Sequence, residues 1–120
     1  MSLFRGENPN LGQVSAYGYT NSLTVLSVSG AIPNNVSGSY ILTKAGVSVM
    51  TLAKPTQDGL KVVVISNTAN AHTITATGLL QTGSASVNVA TFAASPGASV
   101  SLVSYGGQWN SVAEIGITFS

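Results

Sequence analysis

Asp58 to Thr77, DGLKVVVISNTANAHTITAT, constrains the fold more than any other stretch. Asp58-Gly59 is a turn signal. Leu60 and then Val62 to Ile65 form the densest apolar, β-branched run in the chain, and Asn67-Thr68-Ala69-Asn70 breaks it. His72 to Thr77 alternates in the manner of a strand with one wet face. Branched side chains lose rotamer freedom against a helical turn and fit a pleated surface, so this stretch reads as two strands and a short polar loop.

The same signals recur along the chain. Ser22 to Val28, SLTVLSV, is a strand candidate with apolar residues on both sides, which implies burial of both faces or a subunit contact. Gly30 to Gly38 reads as a loop around Pro33-Asn34-Asn35; its Asn35-Val36-Ser37 sequon is a chance match in a Ser-rich chain. Ser39 to Thr43 and Val47 to Leu52 read as strands, the second ended by Pro55. Gly78 to Gly83 reads as a loop with Leu79 and Leu80 tucked under the sheet. Ser86 to Phe92, Val100 to Tyr105, Gln108 to Val112 and Ile115 to Phe119 follow as strands, with Gly106-Gly107 as a two-residue hairpin turn. No segment holds helical apolar spacing over three turns. The expected fold is all-β, an antiparallel β-sandwich or small β-barrel. Lys61, beside the valine run, reads as a gatekeeper against edge-to-edge aggregation.

Charge narrows the function. Only 6% of the 120 residues are charged, against about 25% in an ordinary domain, and none lies between Val62 and Ala113. The surface must be Ser, Thr, Asn, Gln, Gly and Ala. A net charge of +1 lacks the basic footprint of a nucleic-acid binder. So little charge also gives weak protection against self-association, which suits a surface covered by copies or by a partner. There is no cysteine, so disulfide and thiol chemistry are excluded. MSLFRGENPN has no apolar signal core, and no run approaches a membrane span.

Residues 1–20 divide from residues 21–120. The first segment is rich in Gly, Asn, Ser and Tyr and shows no sustained periodicity. It reads either as a frayed terminus or as an extended N-terminal arm that orders on a neighbour; Leu3, Phe4, Leu11, Tyr17 and Tyr19 are anchors that a pure linker would lack.

Chemistry is hard to find. His72 is the only histidine, and no carboxylate lies near it in sequence to orient it as a base, so a structural role at a strand start is expected. One chain cannot readily supply a zinc ligand set. Glu7, Asp58 and Glu114 offer no evident glycosidase pair, and Asp58 is explained by turn chemistry. No phosphate-binding loop, dinucleotide fingerprint or nucleophile elbow occurs. No cofactor is expected, and no enzyme. Tyr105 and Trp109 flank the glycine turn; cross-strand packing is the simpler role, with stacking on a sugar or base as a possible ligand contact.

Several short runs carry a resemblance. In order they are Tyr40 to Gly46, Met50 to Ala53 with Pro55-Thr56, Asp58-Gly59, Ala71 to Thr75, Ala90 to Phe92, and Gly107 to Asn110. Together they resemble a small all-β module of tailed-bacteriophage head-decoration (cement) and head-fibre proteins, over about Ser39 to Val112. The resemblance implies a homotrimer on the outside of an icosahedral head and no catalytic activity. On that basis the expected partners are the major capsid protein and further copies of the chain, with no nucleic acid and no membrane. The expected location is the outer capsid surface of the virion, after synthesis in the host cytoplasm. The expected contact residues are Leu3, Phe4, Arg5, Leu11, Tyr17 and Tyr19. A fibre module that binds a host receptor or glycan through Tyr105 and Trp109 is the alternative.

Overall fold

The computed structural model describes residues 23–120, which are all-β. Ten strands follow in chain order: β1 (Leu23–Leu26), β2 (Gly30–Ile32), β3 (Gly38–Leu42), β4 (Val49–Leu52), β5 (Lys61–Ser66), β6 (Thr73–Gln81), β7 (Ser86–Phe92), β8 (Ser99–Tyr105), β9 (Gln108–Ile115) and β10 (Ile117–Phe119). They form one continuous sheet in the order β1-β3-β5-β8-β9-β6-β4-β2, with β7 added to β6 and β10 to β7. The sheet curls so that two walls face a single core.

The first six strands are laid down in coils. Odd strands stack in one wall, where Val25, Ile41 and Ile65 share a register row. Even strands stack in the other, where Ala31, Thr51 and Thr75 share one. Each connection therefore crosses between walls, and like strands meet in parallel. The expected antiparallel pairing holds for β5–β8, β6–β7, β7–β10 and β8–β9, while β1–β3, β3–β5, β2–β4, β4–β6 and β6–β9 are parallel. Alternating apolar residues fix which face is buried and not which strand lies alongside; only a tight turn forces an antiparallel neighbour. Gly106-Gly107 is such a turn, with both residues at positive φ.

Strand β6 closes the curl. Thr73 to Thr75 pair with β4 on one side and β7 on the other; Leu80 and Gln81 keep β7 but take β9 in place of β4. The register shift between Thr75 and Leu80, with Gly78 at φ 69°, is the bend that permits the exchange. Asn88 Oδ1 accepts the Gly78 N–H at 2.8 Å. The stretch read as a loop from Gly78 to Gly83 is thus the second half of a strand up to Gln81, with Leu80 in the core. The expected loop from Gly30 to Gly38 likewise contains β2, whose Ile32 is buried.

Core side chains come from both walls: Tyr40, Leu42, Val62, Val64, Val100 and Leu102 from one, Ile32, Met50, Leu52, Ile74 and Phe92 from the other. Trp109 seals the junction. Burial of aliphatic and aromatic area at roughly 25 cal/mol per Å² is the main stabilising term in a fold with so few charges. Lys61 stands on an interior strand between β3 and β8, so it guards no edge in the folded chain. Among the described residues the sheet edges belong to β1, β2 and β10.

Candidate interaction surface

The chemically interesting side chains are used in holding the fold. His72 is fully buried. Its Nδ1 accepts the Ser48 backbone N–H at 2.9 Å, and its Nε2 lies 2.7 Å from Thr68 Oγ1. A backbone N–H can only donate, so Nδ1 carries no proton and the neutral ring donates from Nε2 to Thr68. Phe92 meets the ring edge-on at 6.5 Å between centroids. Burial, and then the positive charge of Lys44, lower the His72 pKa from its ordinary value. This ring ties β6 to the segment before β4.

Asp58 serves a turn. Its Oδ1 accepts the Gly106 N–H at 2.9 Å, joining the Asp58-Gly59 turn to the glycine hairpin. Beneath them Ser104 Oγ accepts the Leu60 N–H at 2.8 Å and donates to the Gln57 carbonyl at 2.7 Å. Glu114 is exposed and bonded by Ser111 Oγ. Among the described residues no group of three or more His, Cys, Asp or Glu could hold a metal ion. No helix there is long and apolar enough to cross a membrane.

Tyr105 and Trp109 part company. Trp109 is fully buried, and its Nε1–H donates to the Ala53 carbonyl at 2.9 Å, so its ring offers no face to a ligand. Its cross-strand partner is Ser104, and that of Tyr105 is Gln108. Tyr105 stands alone, 72% exposed, beside the hairpin turn. Ligand stacking, the alternative to cross-strand packing, is thus open to Tyr105 alone, since Trp109 belongs to the core.

The outer faces of the two walls differ, and here the surface acquires character. On the even wall the outward rows are Ala31–Thr51–Thr75–Val89 and Val49–Thr73–Thr91–Thr118. Threonine satisfies β preference and water together. On the odd wall the outward rows are Val25–Ile41–Ile65–Ser99–Ile115 and Leu23–Ser39–Val63–Ser101–Ala113. These rows contain no threonine and no charge. Leu23, Val25 and Ile115 are 52%, 60% and 67% exposed. A wall whose other face is core ordinarily alternates to polar residues outside; here aliphatics take that place, exposed at Leu23, Val25 and Ile115 and half-buried at Ile41, Val63 and Ile65, as on a contact surface. Sequence reading noted both-sided apolarity only in SLTVLSV. The same signal in Tyr40-Ile41-Leu42 and Val62-Val63-Val64-Ile65 pointed to this face, while Ile115 is placed on it only by the pairing of β9 with β8.

The strip runs to a bare edge. Among the described residues β1 pairs only with β3, and LTVL carries no charge, proline or bulge to discourage a further strand. Leu3, Phe4, Arg5, Leu11, Tyr17 and Tyr19, the expected contact residues, lie outside the described residues. They precede this edge directly in the chain. No family model and no curated protein matches the chain.

Proposed function

We propose that the protein is a bacteriophage capsid decoration protein that binds the outer surface of the head and stabilises the shell. The observation that carries this reading is the uncharged aliphatic face of the odd wall, continuous with an open strand edge and with the arm before it. Its other support is the resemblance between Ser39 and Val112. The partners are the major capsid protein and further copies, in a homotrimer on the virion exterior.

The mechanism is mechanical. Each copy contributes modest contacts across boundaries between capsid subunits, and a trimer engages several together, so avidity exceeds any one contact. Leu3, Phe4 and Leu11 fill apolar sites on the capsid or on a neighbouring copy, and Arg5 meets an acidic side chain. Backbone pairing to a strand edge supplies affinity without side-chain charge. Incubation of undecorated heads with the full chain should give sedimentable, stoichiometric binding. Removal of residues 1–13 should abolish it while the β-sheet circular dichroism persists. Undiminished decoration by the truncated chain refutes the arm's role, and absence of any binding by the full chain refutes the reading itself.

Tyr105 favours a second reading, a fibre module that recognises a glycan. A ring this exposed beside a rigid hairpin can stack on a sugar face. Glycan-array binding that is lost in Tyr105→Ala would establish it in place of decoration.

A further inference from the structure

We propose that the outer strip of the odd wall seats the N-terminal segment of a neighbouring copy of this chain. The inference rests on reading residues 1–20 as an arm, and not on what the assembled protein then binds.

The strip's composition suits a covered surface. The two walls share a chain, a core and a β preference, yet the outward rows of one are mostly threonine, with Ala31, Val49 and Val89, while those of the other are mostly isoleucine, valine, leucine and alanine, with Ser39, Ser99 and Ser101 and no threonine. Intrinsic strand preference cannot account for that contrast, because it acts on both.

The strip's size selects the occupant. Five strands spaced by about 4.8 Å span roughly 19 Å, and the outward rows are two residues deep. Packing a whole sheet against it would bury well short of the ~800 Å² per partner of a standard interface. An extended segment of about six residues, at ~3.3 Å each, crosses it completely.

The chain's length indicates whose segment it is. The strip begins at Leu23, so every copy brings residues 1–22 to its border. At ~3.3 Å per residue, a fully extended chain could carry Leu11 about 40 Å from Leu23, about twice the strip's width. A chain so extended would carry the anchors Leu3, Phe4 and Leu11 past their own wall and within reach of the next copy's. Charge agrees: the strip has none, exposed Lys61 lies two residues along β5 from Val63, and Glu7 sits between Phe4 and Leu11. The open edge of β1 gives the same segment backbone partners.

The chain's lack of cysteine makes the test clean. Full-length Leu11→Cys and full-length Ile41→Cys, one carrying a mass tag, are mixed and mildly oxidised. The expected product is a disulfide between a tagged and an untagged chain. It should form well above the level given by Leu11→Cys with Thr75→Cys, which places the second thiol on the threonine wall. Equal cross-linking to both walls overturns the proposal. So does a Leu11→Cys/Ile41→Cys double variant that closes only within one chain, since the arm would then cover its own wall. Light scattering on full-length Val25→Asp provides an independent readout. Its mass should fall to that of one chain with an unchanged β-sheet spectrum; an unchanged oligomer, or a wild-type chain that is already monomeric, overturns the proposal.

Discussion

Acid should destabilise this protein through one imidazole. His72 is neutral in the fold because Nδ1 is engaged by the Ser48 N–H. Protonation would set two N–H donors against each other and place a charge in a fully buried site already near Lys44. The folded pKa is therefore lowered, whereas the unfolded chain titrates near the ordinary 6.5. The unfolded state binds the proton first. Stability is thus fully present above about pH 6.5 and is lost as pH falls toward the folded pKa. One proton sets the ceiling: about 1.4 kcal/mol per pH unit, and hence at most about 1.4 kcal/mol between pH 7.5 and 5.5. The attribution is direct, because this is the only histidine. Urea unfolding followed by fluorescence of Trp109, the only tryptophan, reads the change at fixed protein concentration. His72→Gln, whose amide can still accept from Ser48 and donate to Thr68, should flatten the profile over that window. A wild-type profile that is flat or rises toward acid refutes the reasoning, as does an undiminished slope in His72→Gln.

Two further outcomes follow from the hairpin end of the molecule. Ser104→Ala should cost roughly 1–3 kcal/mol in urea unfolding, because it strands the buried Leu60 N–H and the Gln57 carbonyl; a loss within a few tenths would contradict the bonding described. Gly107→Ala should cost about 1–2 kcal/mol, mainly from its φ of 76°, since the Lys54 side chain that its Cβ would meet at 2.8 Å can swing aside. A thermal midpoint indistinguishable from wild type would show that the turn is not held in that conformation.

The all-β class was legible because β-branched runs and turn residues agree along the chain. Ser86–Phe92 coincides with β7, and the double glycine joins β8 to β9. Neighbour identity was not legible. Each of the first connections crosses to the opposite wall, and nothing in Ser27 to Ser29 or Thr43 to Ser48 distinguishes that from a return alongside. β2 escaped notice because it is three residues long and abuts Pro33. Gly78 looked like a terminator, although its positive φ serves a bend within β6. The contact face was only half visible. Apolarity on both sides of a strand can be read locally, but the row from Val25 to Ile115 exists only once five strands are in register.

The coiled half of the molecule has a consequence for how such a protein can vary. Strands β1, β3 and β5 repeat one position in the stack, β2, β4 and β6 another, while β7 to β10 close one end with antiparallel pairs. Whole turns of chain can therefore be inserted or removed between β1 and β5 without disturbing the closing strands, each changing the height by about one strand spacing of ~4.8 Å. Height and closure are independent variables here. A protein built this way can be made taller or shorter by changing a count, with its closing end left as it is.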